Sequence, residues 1–199
     1  MKLALLRHGP TAWNAQGRIQ GRTDIPLSEE GLMQVRGLLP PLSFEAARAY
    51  ASPMQRARQT AEALGFIDPI LDPRLMEQNW GQWEGLSRAE ILARDGKDAF
   101  TRAGHGLEFR PPEGESTEEL HARVASFLKD VARAERDAIA VAHLGVLRAA
   151  YTLASDWDMR TPMPAELDVS RVMILSLARD GVPVIHALNV ELRVRIEPV

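Results

Sequence analysis

The feature that most constrains this chain is a short apolar run, Leu3 to Leu6, cut off by Arg7-His8-Gly9. The run is too short for a helix before the glycine, and its unbroken apolarity suits a strand buried on both faces. Such a strand delivers Arg7 and His8 to the edge of a sheet, with Gly9 freeing the backbone behind them. A permanent cation beside a titratable imidazole at a strand end invites an anionic ligand, and the pair reads as a phosphate site with histidine as nucleophile. The pattern recurs late in the chain, where Ile139, Val141 and their alanine neighbours run into His143-Leu144-Gly145 ahead of an apolar helix carrying Leu147, Ala150, Tyr151 and Ala154.

Between these stretches strands alternate with helices. Residues 10 to 26 form a long polar loop containing Asn14, Gln20 and Asp24, and a loop of that length usually carries function. Ser28 offers an N-cap to a helix whose apolar face is Leu32, Val35, Leu38 and Leu39, ending at Pro40-Pro41. Residues 46 to 51 read as a second strand, Ser52-Pro53 opens a helix that runs to Gly65, and residues 67 to 71 read as a third strand. Arg56 falls in the first turn of its helix, where amide groups and the dipole also favour anions. Ser87 with Glu90 and Ser116 with Glu119 have capping-box spacing, the second opening the longest helix, residues 117 to 135. Residues 80 to 115, rich in glycine and aromatic groups, read as an excursion from the core, a lid. Val172 to Leu177 and Val182 to Leu188 read as a hairpin across Asp180-Gly181. This alternation predicts one domain over residues 1 to 199, a three-layer α/β/α sandwich with a mainly parallel mixed sheet.

Composition narrows the function. A net charge of -3 argues against nucleic-acid or anionic-membrane binding, so any anion site is local. The absence of cysteine excludes thiolate catalysis and Cys-ligated zinc, and no histidine pair has helical metal-ligand spacing, so no metal or cofactor is expected. The first apolar run is short for a signal peptide and no stretch suits a bilayer span, so a cytoplasmic location is expected. Oligomeric state is open, and a homodimer is compatible with the chain.

Leu6-Arg7-His8-Gly9, followed by Trp13-Asn14, Gly17-Arg18, Gln20-Gly21, Asp24 and Pro26-Leu27, resembles the signature of the histidine phosphatase superfamily, also called phosphoglycerate-mutase-like. Ser52-Pro53-Met54 with Arg56-Ala57 and Thr60-Ala61 resembles its second arginine block, Glu77 with Gly81 and Trp83-Glu84-Gly85 its acid block, and His143 with Gly145 its second histidine block. The resemblance implies that His8 attacks phosphorus, that Arg7, Arg56 and His143 bind the phosphoryl oxygens, that Glu77 protonates the leaving group, and that Asn14 and Gln20 support the pocket. Pro10 and Leu144 depart from the usual pattern at the pocket rim, which weakens any transfer of substrate identity.

The chemistry suits those residue types independently. Phosphoryl transfer needs in-line positioning and charge stabilisation, which guanidinium forks supply without a metal. Arg7 and Arg56 should hold His8 neutral by charge repulsion, while His143 is expected to act as a donor to phosphate and to gain a proton in the complex. His105, His121 and His186 lack a block around them and read as structural or surface groups; Glu84 is a decoy for Glu77, and Trp83 reads as core. The leading expectation is a metal-independent phosphomonoesterase acting on a small phosphorylated metabolite. The alternatives are a phosphoglycerate mutase, whose basic substrate motifs are not found between Trp80 and Glu115, and a non-catalytic phosphate-binding module.

Overall fold

The computed structural model describes residues 1–195. Strand β1 (Lys2–Arg7) is followed by the one-turn helix α1 (Ala12–Ala15), α2 (Glu29–Arg36), the short strand β2 (Leu38–Leu39), β3 (Arg48–Ala51), α3 (Gln55–Ala63) and β4 (Ile70–Leu71). Helices α4 (Arg88–Asp95) and α5 (Ala99–Arg102) come next, then α6 (Thr117–Arg133), β5 (Ala138–Ala142), α7 (Leu144–Leu153), β6 (Val172–Leu177), β7 (Pro183–Val190) and β8 (Arg193–Val194).

The main sheet has the order β4-β3-β5-β1-β6-β7. Strands β1, β3, β4 and β5 are parallel, while β6 runs antiparallel to β1 and β7 to β6. The period of two splits each central strand between two apolar layers. Leu3, Leu5, Ala140 and Leu175 face α6 and α7, packing on Leu120, Val124, Phe127, Leu128 and Leu147. Leu6, Ile139, Val141 and Ile174 face the other way, against Val35 of α2, Ala57 and Ala61 of α3, and Leu64 just after it. The sheet therefore lies between two helical layers, as the alternation predicts. Each fully buried Leu or Phe in these layers contributes roughly 1.5–3 kcal/mol. No helix among the described residues is long and apolar enough to cross a membrane.

Several local expectations need correction. Helix α2 ends at Arg36, and Leu38–Leu39 leave it to pair with Arg193–Val194, a partner too distant in sequence for local periodicity to reveal. The third strand shrinks to Ile70–Leu71 because Asp68 adopts a left-handed φ of 52° and Pro69 cannot donate to a ladder. Helix α3 begins at Gln55 rather than at Ser52-Pro53, since the Ser52 amide still extends the sheet by donating to the Val141 carbonyl (3.0 Å). The polar loop contains α1, nucleated by a reciprocal cap between Thr11 and Asn14. Within residues 80 to 115, Trp83, Ile91 and Ala99 form a small core of their own, and Trp83 Nε1 donates to Asp95 (2.6 Å).

Candidate active site

The parallel ladder sets the site at the carboxyl ends of β1, β3 and β5. Arg7 pairs with Ala142 and Ala51 with Val141, and the His8 amide donates to the Ala142 carbonyl (3.0 Å). His8 and His143 are consequently neighbours, with ring centroids 5.1 Å apart. His8 Nδ1 lies 2.7 Å from the Gly9 carbonyl, and because a carbonyl only accepts, Nδ1 carries the proton. Nε2 is left with its lone pair. Burial, with Arg56 and Arg7 repelling the charged form, pushes the His8 pKa down to about 3.

Arg56, fully buried, is aimed by three contacts: Nη1 donates to the Thr23 carbonyl (2.9 Å), Nη2 to the Gly21 carbonyl (2.8 Å) and Nε to His143 Nδ1 (3.2 Å). The last contact makes Nδ1 of His143 the acceptor, so its proton sits on Nε2 and is donated to Ser52 Oγ (2.8 Å). Complete burial, reinforced by His8 and Arg56, holds His143 neutral, well below the ordinary imidazole pKa. As placed, His143 has both ring nitrogens taken by Arg56 and Ser52 and does not line the cavity that His8 and Arg56 share.

Glu84 is the scaffold of the loop that aims Arg56. Its carboxylate accepts from the amides of Arg22 (2.7 Å), Thr23 (2.8 Å) and Trp80 (3.0 Å) and from the Thr23 hydroxyl (2.6 Å). Gly21 is required beside it, with φ of 52° and an added Cβ only 2.0 Å from Glu84 Oε1. Glu84 thus has a structural duty that separates it from Glu77.

Glu77 faces the same cavity as Arg7 and Arg56. The amide of Gly145, in the first turn of α7, donates to its two oxygens at 3.0 and 3.3 Å, and the Gln78 amide donates at 2.8 Å. Arg123 holds the Glu77 backbone through its carbonyl (3.1 Å) while paired to Glu115 (2.6 Å). Asn14 Oδ1 is occupied by the Thr11 amide and hydroxyl, which leaves its Nδ2 end for a ligand, and Gln20 Oε1 is buried without a partner among the described residues.

The cavity is about 170 Å³ and is lined by Arg7, His8, Asn14, Gln20, Arg56 and Glu77, together with residues the sequence did not single out. Arg148 is the most telling of these. It is the only charged residue in α7, and that isolation was its available signal. Arg7, Arg56 and Arg148 form no ion pair among the described residues, and Nε of both Arg7 and Arg148 is buried and unpartnered. Burial lowers the pKa of all three, opposed by Glu77, yet a guanidinium stays charged. Four guanidinium groups, counting Arg18 with its partner Glu90 outside the lining, face one carboxylate, so the cavity has an unmet demand for negative charge.

The sequence profile of the histidine phosphatase superfamily (branch 1) matches residues 3–191. The chain belongs to this superfamily. It is 34% identical over 160 residues to the metal-independent phosphoserine phosphatase of Arabidopsis thaliana, covering 75% of this chain and 67% of that protein. It is 35% identical over 130 residues to the 2,3-bisphosphoglycerate-dependent phosphoglycerate mutase 2 of Gloeobacter violaceus, covering 61% of this chain and 58% of that one. The solved structure of Bacillus stearothermophilus YhfR superposes with a TM-score of 0.77 at 29% identity, covering 98% of this chain and 96% of the other. Of the two positions that depart from the usual pattern, Pro10 does not line this cavity. Pro10 accepts from the Ser28 amide (3.0 Å), and Leu144 lines the cavity beside Gly145.

Proposed function

We propose that this protein is a metal-independent phosphomonoesterase that hydrolyses a small phosphorylated metabolite through a phosphohistidine on His8. The observation that carries this reading is the locked tautomer of His8, whose Nε2 lone pair lies in a cavity with three arginines lacking carboxylate partners. A dianionic monoester satisfies those cations. Nε2 attacks phosphorus, the bond from phosphorus to the ester oxygen breaks, and Glu77 gives its proton to the departing alkoxide. Water then attacks the phosphohistidine as Glu77 takes a proton back, the bond from phosphorus to nitrogen breaks, and inorganic phosphate leaves. Arg7, Arg56 and Arg148 bind the equatorial oxygens, with Asn14 and Gln20 in support. His143 acts one step behind the oxygens, its Nδ1 accepting from Arg56 Nε and holding that guanidinium in place.

Residues 80 to 115 act as a roof over the leaving group in a one-domain, cytoplasmic enzyme that uses neither nucleic acid nor membrane. The identity to a phosphoglycerate mutase favours a second reading, a primer-dependent isomerase. Incubation with phosphoglycerate, with and without a bisphosphate primer, separates the two by release of phosphate or appearance of the isomer. Single-turnover labelling followed by an alkaline quench should trap phosphate on wild-type protein and not on His8→Ala. Turnover near wild type in His8→Ala, or activity abolished by a chelator, would refute the proposal.

A further inference from the structure

Beyond the phosphate cavity lies a second one of about 380 Å³, and the two share Gln78, Trp80, Gly145 and Arg148 as walls. A group bonded to phosphate at His8 can therefore extend past Arg148 into this space. The second cavity lies where residues 80 to 115 meet the core, so it receives the alcohol part of the ester. Its size is within the range of ligand pockets, roughly 300–1,000 Å³. At about 30 Å³ per molecule it holds on the order of a dozen waters, of which a three-carbon alcohol would displace only a few.

Its walls are chemically one-sided. Trp80, Phe100 and Phe109 line it, with the Trp80 and Phe109 ring centroids 5.4 Å apart. Gln78, Thr101 and Thr117 supply neutral polarity and Arg88, Arg148 and His105 basic groups, and among the described residues no aspartate or glutamate lines the cavity. Arg88 is exposed, lies 4.1 Å over the Phe100 ring and makes no ion pair among the described residues. Stacking leaves the edge of its guanidinium, where the N–H groups are, free for an anion.

We infer that the substrate is the phosphate ester of an alcohol carrying a planar ring and, at the end remote from phosphate, a carboxylate. Trp80, Phe100 and Phe109 enclose the ring and Arg88 meets the carboxylate. The inference rests on the phosphatase reading of His8, and it excludes serine or glycerate as the best leaving group. Arg88, Phe100 and Phe109 become specificity-determining residues that touch no reacting atom.

The test compares the full chain on glycerol phosphate, phenethyl phosphate and para-carboxyphenethyl phosphate, all of which leave as primary alkoxides. Burying a ring should raise kcat/KM about 10-fold or more over glycerol phosphate, and the carboxylate should add about fivefold. In Arg88→Gln the ratio of carboxylated to plain phenethyl ester should fall to about 1, and in Phe109→Ala the ratio of phenethyl to glycerol ester should fall by at least about fivefold. Ratios are insensitive to a reduced folded fraction. Equal kcat/KM for the glycerol and phenethyl esters in the wild type would overturn the inference and leave the phosphatase reading standing. A carboxylated ester no better than the plain one, or an unchanged carboxylate ratio in Arg88→Gln, would overturn the anionic half. Release of phosphate from none of the three would overturn both.

Discussion

Replacing His8 with asparagine should flatten the acid side of the stability profile. His8 is held at about 3 by burial and by Arg56 and Arg7, against an ordinary value of 6.5. The unfolded chain therefore binds a proton below pH 6.5 that the folded chain refuses until about pH 3. Stability is full above the unfolded pKa and is lost as pH falls through that window. At about 1.4 kcal/mol per pH unit, this one group removes about 2 kcal/mol between pH 7 and pH 5, and 4–5 kcal/mol by pH 3. His143, also displaced downward, adds to the loss with the same sign. His8→Asn retains a donor near the Nδ1 position, toward the Gly9 carbonyl, and cannot titrate. Urea unfolding of both proteins at pH 7 and pH 5, in buffer free of phosphate because a ligand of the native state would shift both midpoints, measures the effect. The wild type should lose about 2 kcal/mol more than the variant between the two pH values. Any fixed cost of the substitution, and the titration of every carboxylate, cancels in that difference. Equal losses would mean that His8 accepts a proton in the folded protein as readily as in the unfolded one. The surroundings of His8 would then not be what holds it neutral.

Gly145→Ala would place a Cβ 2.3 Å from Glu77 Oε1 and displace the carboxylate from the Gly145 amide. Helix α7 gains a better helix former, so kcat on alkyl phosphates should fall about 10- to 100-fold with no loss of thermal stability; unchanged kcat would show that this contact does not position Glu77. Glu84→Ala would strand three amides and a hydroxyl and loosen the carbonyls that aim Arg56. A stability loss of about 2–4 kcal/mol and a fall in kcat/KM are expected, and urea unfolding paired with kinetics checks both. Glu77→Gln should cost alkyl phosphates about 100-fold and aryl phosphates much less, because a phenolate needs little protonation. Equal losses on the two ester classes would remove Glu77 as the acid.

What the chain's order of residues determined by itself was whatever depends on local periodicity and residue type. The apolar runs ahead of His8 and His143, the capping boxes at Ser87 and Ser116 and the hairpin around Gly181 each follow from neighbours within a turn or a strand, and so the sandwich of layers was legible. The blocks around Arg7, Arg56, Glu77 and His143 named residues that do line or adjoin one cavity. Tertiary structure decided the rest, because each remaining feature joins segments far apart in sequence. Leu38–Leu39 became a strand only because Arg193–Val194 lay beside it, and Glu84 acquired its duty from amides about 60 positions earlier. Arg148 reached the phosphate cavity through the pitch of α7, while Ser52 and Arg56 set the tautomer of His143 from a different strand and helix. Proton positions and unpartnered charges are properties of three-dimensional neighbours at hydrogen-bond range, and spacing along the chain does not encode them.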